Sequence, residues 1–175
     1  ASLENITFKT LEADIAMTGS YSTQNHEVPR ADFAYDIKDL DVQKAFETFN
    51  TVAKIAPIAK YVTGKLTTDM VLTTDLDGQM NPIMNSINAR GNVKSKDLLM
   101  QGGKFLGNLS ETLKSPKLAK QQVKDLNASF VINDGKVTTS PFDVKIDKME
   151  ATISGYSTFE NEIEYLMEMT IPRDA

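Results

Sequence analysis

Residues 130–144, FVINDGKVTTSPFDV, decide the fold class of this 175-residue chain. Asn133, Asp134 and Gly135 are residue types that tolerate the positive φ angles of a tight reversal between antiparallel strands. Apolar residues recur at alternate positions before the reversal, at Phe130 and Ile132, and after Pro141, at Phe142 and Val144. Such recurrence is typical of strands that have one face on a core and one face in water. The stretch therefore predicts an antiparallel hairpin from Phe130 to Thr139.

The same alternation recurs through most of the chain and predicts further strands. Its apolar positions are Leu11, Ala13, Ile15 and Met17; Phe33, Tyr35 and Ile37; Leu66, Met70, Leu72 and Leu76; Ile87, Ala89 and Val93; Ala128, Phe130 and Ile132; Phe142, Val144 and Ile146; Ala151 and Ile153; and Ile163, Tyr165, Met167, Met169 and Ile171. We expect Gly19 to end the first of these strands. The last third of the chain is predicted to be a β-meander.

Two segments change to a helical period. Residues 41–62, DVQKAFETFNTVAKIAPIAKYV, place apolar side chains on one helical stripe, with Asp41 as N-cap and a kink or restart at Pro57. Residues 102–113 form a second stripe, and Ser115 with Pro116 can start another turn. The apolar residues of that second stripe are Phe105, Leu106, Leu109 and Leu113.

Length and pattern together predict one α+β domain spanning residues 1–175. Its sheet is expected to be dominantly antiparallel and strongly twisted or curled, with two to three amphipathic helices packed on one face. A net charge of −5 argues against a nucleic-acid-binding surface. The chain has no cysteine, which excludes disulfides and thiolate metal sites, and no apolar run reaches the roughly 18 residues of a membrane span.

Residues for catalysis are scarce. The single histidine, His26, lies in the polar stretch STQNHEVPR, which is typical of a solvated loop. Asp75 to Gly78, DLDG, lacks the further acidic positions of a calcium loop and predicts a β-turn. Acidic pairs such as Asp143 with Asp147, or Glu162 with Glu164, could serve glycoside hydrolysis only if they met across a cleft. We therefore predict no catalytic residue, no metal site and no cofactor.

The eight methionines suggest a different kind of site. A flexible, polarizable thioether suits a surface that accepts irregular apolar ligands, although methionine is also a common core filler, and both interpretations stay open. From strand phase and side-chain type we predict that one set of residues lines an apolar groove. The set is Met17, Met70, Leu72, Met167 and Met169.

Two long stretches resemble the AsmA-like proteins of Bacteroidetes-type bacteria. One is FNTVAKIAPIAKYVTGKLTTDMVLTTDLDGQMNPIMNSINARGNV, residues 49–93. The other is LNASFVINDGKVTTSPFDVKIDKMEATISGYSTFENEIEYLMEMTIPR, residues 126–173, with Gly135 and Gly155 at the glycine positions of the family's closing pattern. The openings LEADIAMTGSYSTQ and FAYDIKDLDVQKAF are compatible with the family, so the order of motifs over nearly the whole chain carries the resemblance.

The resemblance implies a periplasmic part of a larger protein that is anchored in the inner membrane of a Gram-negative bacterium by a segment absent from this chain. It further implies a role in outer-membrane assembly, with phospholipid or another acyl-chain ligand held on an apolar β-groove, and envelope proteins as possible partners. The alternative is a β-rich interaction module with a closed core that binds protein or glycan. A carboxylate-based hydrolase is a third class.

Overall fold

A computed structural model describes residues 2–23, 28–112, 114, 116–146 and 149–170. In this part of the chain one nine-stranded sheet dominates, and each strand pairs antiparallel with the next strand in sequence. The strands are β1 (Ser2–Thr10), β2 (Ala13–Ser22), β3 (Arg30–Asp41), β4 (Val62–Asp75), β5 (Asn88–Gln101), β6 (Lys120–Asn133), β7 (Lys136–Ile146), β8 (Met149–Thr158) and β9 (Ile163–Thr170). Helices α1 (Val42–Thr48) and α2 (Asn50–Ile55) connect β3 to β4, and α3 (Gly103–Thr112) connects β5 to β6. The prediction of a dominantly antiparallel sheet is confirmed.

The register places the alternating apolar residues on one side of the sheet. Met17 lies opposite Tyr35, and Tyr35 lies opposite Met70, so that the row crosses β2, β3 and β4. Residues directly opposite each other in an antiparallel pair point to the same face. The side that carries this row is called the apolar face below, and the other side is called the polar face.

The predicted hairpin is confirmed in detail. Asn133 pairs with Lys136 and Phe130 pairs with Thr139. Asp134 and Gly135 both adopt positive φ, at 50° and 71°, which matches the backbone twist of a two-residue reversal. Pro141 does not end β7; the strand continues through it with a register shift between Thr139 and Phe142.

Gly19 does not end β2, which continues to Ser22. The prediction was wrong because the glycine serves side-chain packing and not a turn. Gly19 pairs with Phe33, and a Cβ at Gly19 would stand 2.4 Å from the Phe33 ring. The ring therefore occupies the space that a side chain would otherwise fill.

The segment after β3 begins as predicted and then breaks earlier than predicted. The Asp41 carboxylate accepts a hydrogen bond from the Lys44 amide at 2.9 Å, which is the expected N-cap of α1. Pro57 starts a 3₁₀ turn, Pro57–Tyr61, as expected for a restart. An additional break falls at Phe49, whose extended backbone separates α1 from α2 without any proline or glycine in the sequence to indicate it.

Residues 102–113 contain the second predicted helical segment, which the structure places at Gly103–Thr112. A 3₁₀ turn follows from Pro116 to Ala119, while Leu113 and Ser115 lie outside the described residues. Helices α1 and α2 follow the end of β3, and α3 follows the end of β5. Because β3 and β5 run in the same direction, the three helices lie at the same end of the sheet. This end is called the helical end.

Among the residues that the structure describes, two hydrophobic clusters lie on the apolar face. The first joins the helical end to the sheet, and its buried members are Val42, Ala59, Val62, Leu98, Val123, Val144 and Ala151. The second lies towards the opposite end of the strands, with buried members Met70, Ile87, Ala89, Ile132 and Val137. Residues of α1, α2 and the 3₁₀ turn Pro57–Tyr61 belong to the first cluster, and Met84, from a 3₁₀ turn at Met84–Ser86, packs on the second. The helical segments therefore cover part of the apolar face.

Candidate ligand-binding face

The groups considered for catalysis are engaged in ordinary surface contacts or lie outside the described residues. His26 and Asp147 lie outside the described residues. Asp143 is exposed on β7 and accepts a hydrogen bond from the Thr152 hydroxyl at 2.7 Å. Such a cross-strand pair stabilises a sheet surface and needs no cleft.

The second acidic pair does not face a common site. Glu162 precedes β9, where its amide donates to the Thr158 hydroxyl at 3.1 Å. Glu164 accepts from the Tyr156 hydroxyl at 2.9 Å, and this hydrogen bond is the main reason why the pKa of Tyr156 is raised. Both contacts are those of a surface hairpin.

The turn predicted at Asp75 to Gly78 lies two residues later, because Asp75 still belongs to β4 and the Met80 amide donates to the Asp77 carbonyl at 3.0 Å. Asp77 also caps this turn with its side chain. Its carboxylate accepts from the amides of Gln79 at 2.8 Å and Asn81 at 2.9 Å, and these backbone hydrogen bonds lower the pKa of Asp77. In the described part of the chain no three acidic or histidine side chains are grouped as metal ligands. The turn is thus explained by its own hydrogen bonds.

The five residues predicted to line a groove all lie on the apolar face, but in two places. Met17 and Met70 flank Tyr35, whose hydroxyl donates to the Met70 sulfur at 3.7 Å. Leu72 packs beside Met70 on the second cluster. Met167 and Met169 pack on the first cluster from β9. The predicted lining is therefore two patches separated by the width of several strands.

Exposure differs sharply between the middle and the edges of the apolar face. Met70 retains 9% of its accessible surface and Ile132 only 1%. At the β1 edge, Ile6 and Phe8 are 37% and 43% exposed. Ligand-accessible apolar surface is thus concentrated at the edges.

The β9 edge repeats this pattern. Ile163 is 59% exposed and Tyr165 is 44% exposed, and both point to the apolar face because they lie opposite Ser157 and Gly155. Ile6, Phe8, Ile163 and Tyr165 were not among the predicted lining residues. Ile163 and Tyr165 belong to a strand that the sequence predicted, whereas Ile6 and Phe8 do not. Nothing in an alternating pattern distinguishes an edge strand from a central one.

Total surface area agrees with an incompletely covered sheet. A compact monomer of 19.3 kDa exposes about 8,500 Å². This chain exposes 11449 Å². The excess is what a broad sheet produces when helices cover only part of one face.

A hollow of about 590 Å³ lies at the β1–β3 side of the sheet. Most of its lining comes from the polar face, including Lys9 and Asp14, which form an ion pair at 2.7 Å. It is therefore separate from the two apolar patches.

An ionic contact ties the β1–β2 turn to the helical end. The Glu12 carboxylate receives the ammonium groups of Lys44 on α1 and Lys65 on β4, the latter at 3.3 Å. Hydrogen bonding to Lys44, followed by that to Lys65, lowers the pKa of Glu12. The contact links the β1–β2 turn to α1 and to the start of β4.

None of the helices in the described ranges combines the length and the apolar character required to cross a membrane. Comparison with protein-family models, with curated proteins and with solved structures finds no match to this chain.

Proposed function

We propose that this chain is a non-catalytic domain of the AsmA type that holds the acyl chains of phospholipid on the apolar face of its sheet. The observation that carries the proposal is the exposure of Ile6, Phe8, Ile163 and Tyr165 at the two edges of one apolar face. The proposal includes a finer description of the fold. We propose an α+β arrangement in which the sheet curls around that face and the helices close it at the helical end.

Burial alone supplies the binding energy in this proposal. Each methylene removed from water contributes about 0.8 kcal/mol, so a few methylenes against Ile163 and Tyr165 bind an acyl chain with several kcal/mol. The apolar side chains along the β1 and β9 edges offer no single preferred binding position to a methylene group. The acyl chain can therefore slide along the apolar face, and such sliding suits the conduction of lipid between membranes.

The proposed setting follows from the family resemblance. The domain is proposed to lie in the periplasm of a Gram-negative bacterium, within a parent protein held in the inner membrane by another segment, and to take part in outer-membrane assembly. Envelope proteins are its proposed protein partners. Nucleic acid is not a proposed partner, because the net charge is −5.

One observation favours the alternative, a closed interaction module. The second cluster is filled by its own side chains, with Met70 at 9% and Ile132 at 1% exposure. If the protein in solution also covers its edges, protein or glycan would bind the polar face instead. A carboxylate-based hydrolase has no comparable support, since the Asp143 carboxylate accepts a hydrogen bond from the Thr152 hydroxyl on the sheet surface.

Native mass spectrometry of protein extracted gently from a Gram-negative host tests the proposal. We expect adducts with the masses of phospholipids, and uptake of an uncharged lipophilic dye that these phospholipids displace. Protein without adducts and without dye uptake would support the closed module. Displacement of dye by soluble glycans, with no effect of phospholipid, would also contradict lipid handling.

A further inference from the structure

The two edge strands of the sheet differ in their readiness to pair. All eight residues of β9, Ile163 to Thr170, follow β8 in one unbroken register. In β1 the register shifts between Leu3 and Ile6, and Asn5 adopts a φ of 49°. A bulge twists an edge away from further pairing, whereas a regular edge presents a row of free amides and carbonyls.

The side chains of β9 also favour pairing with a further strand. Edge strands are commonly protected by lysine or proline, and β9 contains neither. On its polar face, Leu166 is 60% exposed between Glu164 and Glu168. On its apolar face, Ile163 and Tyr165 are exposed as well. A strand added here would lie beside Leu166 on the polar face and would extend the apolar face beyond Ile163 and Tyr165.

Charge selects among the strands that could be added. From residue 149 to residue 170 the chain contains five glutamates and no lysine, arginine or histidine. Glu164 and Glu168 are exposed, and neither takes part in an ion pair with the residues that the structure describes. Opposite charges at facing cross-strand positions are favourable and like charges are not.

We propose that the β9 edge accepts an extended strand of a partner protein, with basic residues facing Glu164 and Glu168 and apolar residues between them. Main-chain hydrogen bonds to the edge supply the pairing, and the two glutamates select the sequence. A second copy of this chain fits less well. An antiparallel copy of β9 centred on Leu166 places Glu164 opposite Glu168 in both halves.

Short acetylated peptides test the proposal by fluorescence anisotropy against the whole chain. One peptide has valine and leucine throughout, except for two lysines spaced as Glu164 and Glu168 are. A second peptide carries glutamates in place of the lysines. A third and a fourth peptide keep the lysines and carry N-methyl groups on alternate amides, one peptide at the odd positions and the other at the even positions. Each of them thereby lacks the amide donors of one edge.

We expect the lysine peptide to bind about tenfold more tightly than the glutamate peptide, since two facing pairs change from attractive to repulsive. This preference should invert in Glu164→Lys/Glu168→Lys. It should persist in Glu47→Lys/Glu111→Lys, which changes the net charge equally on α1 and α3. One of the two N-methylated peptides should lose binding. Glu168→Lys alone, expected to reduce the preference, replaces the double variant if that variant does not fold.

Three results would overturn the proposal. The first is equal binding of the lysine peptide and both N-methylated peptides, which would indicate attraction without strand pairing. The second is inversion of the preference in the control variant. The third is a stable dimer of the chain in sedimentation without peptide that the lysine peptide cannot dissociate, which would assign the edge to a second copy.

Discussion

Replacing Ile163 by threonine should weaken acyl-chain binding about fivefold with little effect on the fold. Full burial of an isoleucine side chain contributes about 1.5–3 kcal/mol. Because Ile163 is 59% exposed, about 1.5 kcal/mol remains for a ligand to gain there. Threonine keeps one methyl group and the β-branched shape that strands favour, so the expected loss is about 1 kcal/mol of binding free energy.

Val131→Thr is the matched control. Val131 is 51% exposed on β6, and it points to the polar face because it lies opposite Arg90 and Thr138. Titration with an uncharged lipophilic dye should show weaker binding for Ile163→Thr and an unchanged dissociation constant for Val131→Thr. Urea midpoints of the two variants should agree. Equal weakening in both, or none in either, would refute binding on the apolar face.

Three further predictions concern stability. Ile132→Ala should lower the free energy of unfolding in urea by about 3 kcal/mol, since Ile132 is 1% exposed within the second cluster. Gly91→Ala should destabilise by more than about 1 kcal/mol, because its Cβ would stand 2.3 Å from the Asp69 carbonyl oxygen, whereas Gly78→Ala meets nothing within 4 Å and should be nearly neutral. Glu12→Gln should flatten the loss of thermal stability with acidification, because the lowered pKa of Glu12 stabilises the fold at neutral pH.

The sign of the Glu12 prediction follows from linkage. A carboxyl whose pKa is lowered in the folded state stabilises that state above its ordinary pKa of about 4.3, and this stabilisation is lost as the pH falls through the folded pKa. Melting temperatures of wild type and Glu12→Gln should therefore differ at pH 7 and converge as the pH falls through the folded pKa of Glu12. A difference that grows on acidification would contradict the ion-pair account. A Gly78→Ala variant as unstable as Gly91→Ala would contradict the steric account of Gly91, and an Ile132→Ala variant of wild-type stability would contradict the burial of Ile132 in the second cluster.

Local structure could be predicted from the sequence where a single residue type favours a single backbone conformation. Asp41 accepts from the Lys44 amide as a cap must, and Asp134 with Gly135 turns the hairpin by adopting positive φ. The break between α1 and α2 at Phe49 could not be predicted from the sequence, because phenylalanine is tolerated within helices. Gly19 was misread, since the Phe33 ring that requires it comes from the neighbouring strand.

Strand phase was predictable until a bulge changed it. Ile37 and Leu40 pair with Thr68 and Leu66, so an extra residue enters β3 between them. Asp39 takes up the extra residue with a φ of 59°. A strict period of two cannot anticipate such a shift, because a bulge depends on the pairing partner as well as on the strand itself.

Sequence by itself determined that the chain forms a one-sided antiparallel sheet, because alternation places apolar side chains on one face whatever the strand order. It also placed Met17, Met70, Leu72, Met167 and Met169 on that face. Only the tertiary structure decided which apolar residues stay accessible. Met70 is covered in the centre, while Ile163 is exposed on β9, which has no further neighbouring strand among the described residues. Exposure depends on what packs beside a residue, and that information lies in the arrangement of strands and helices.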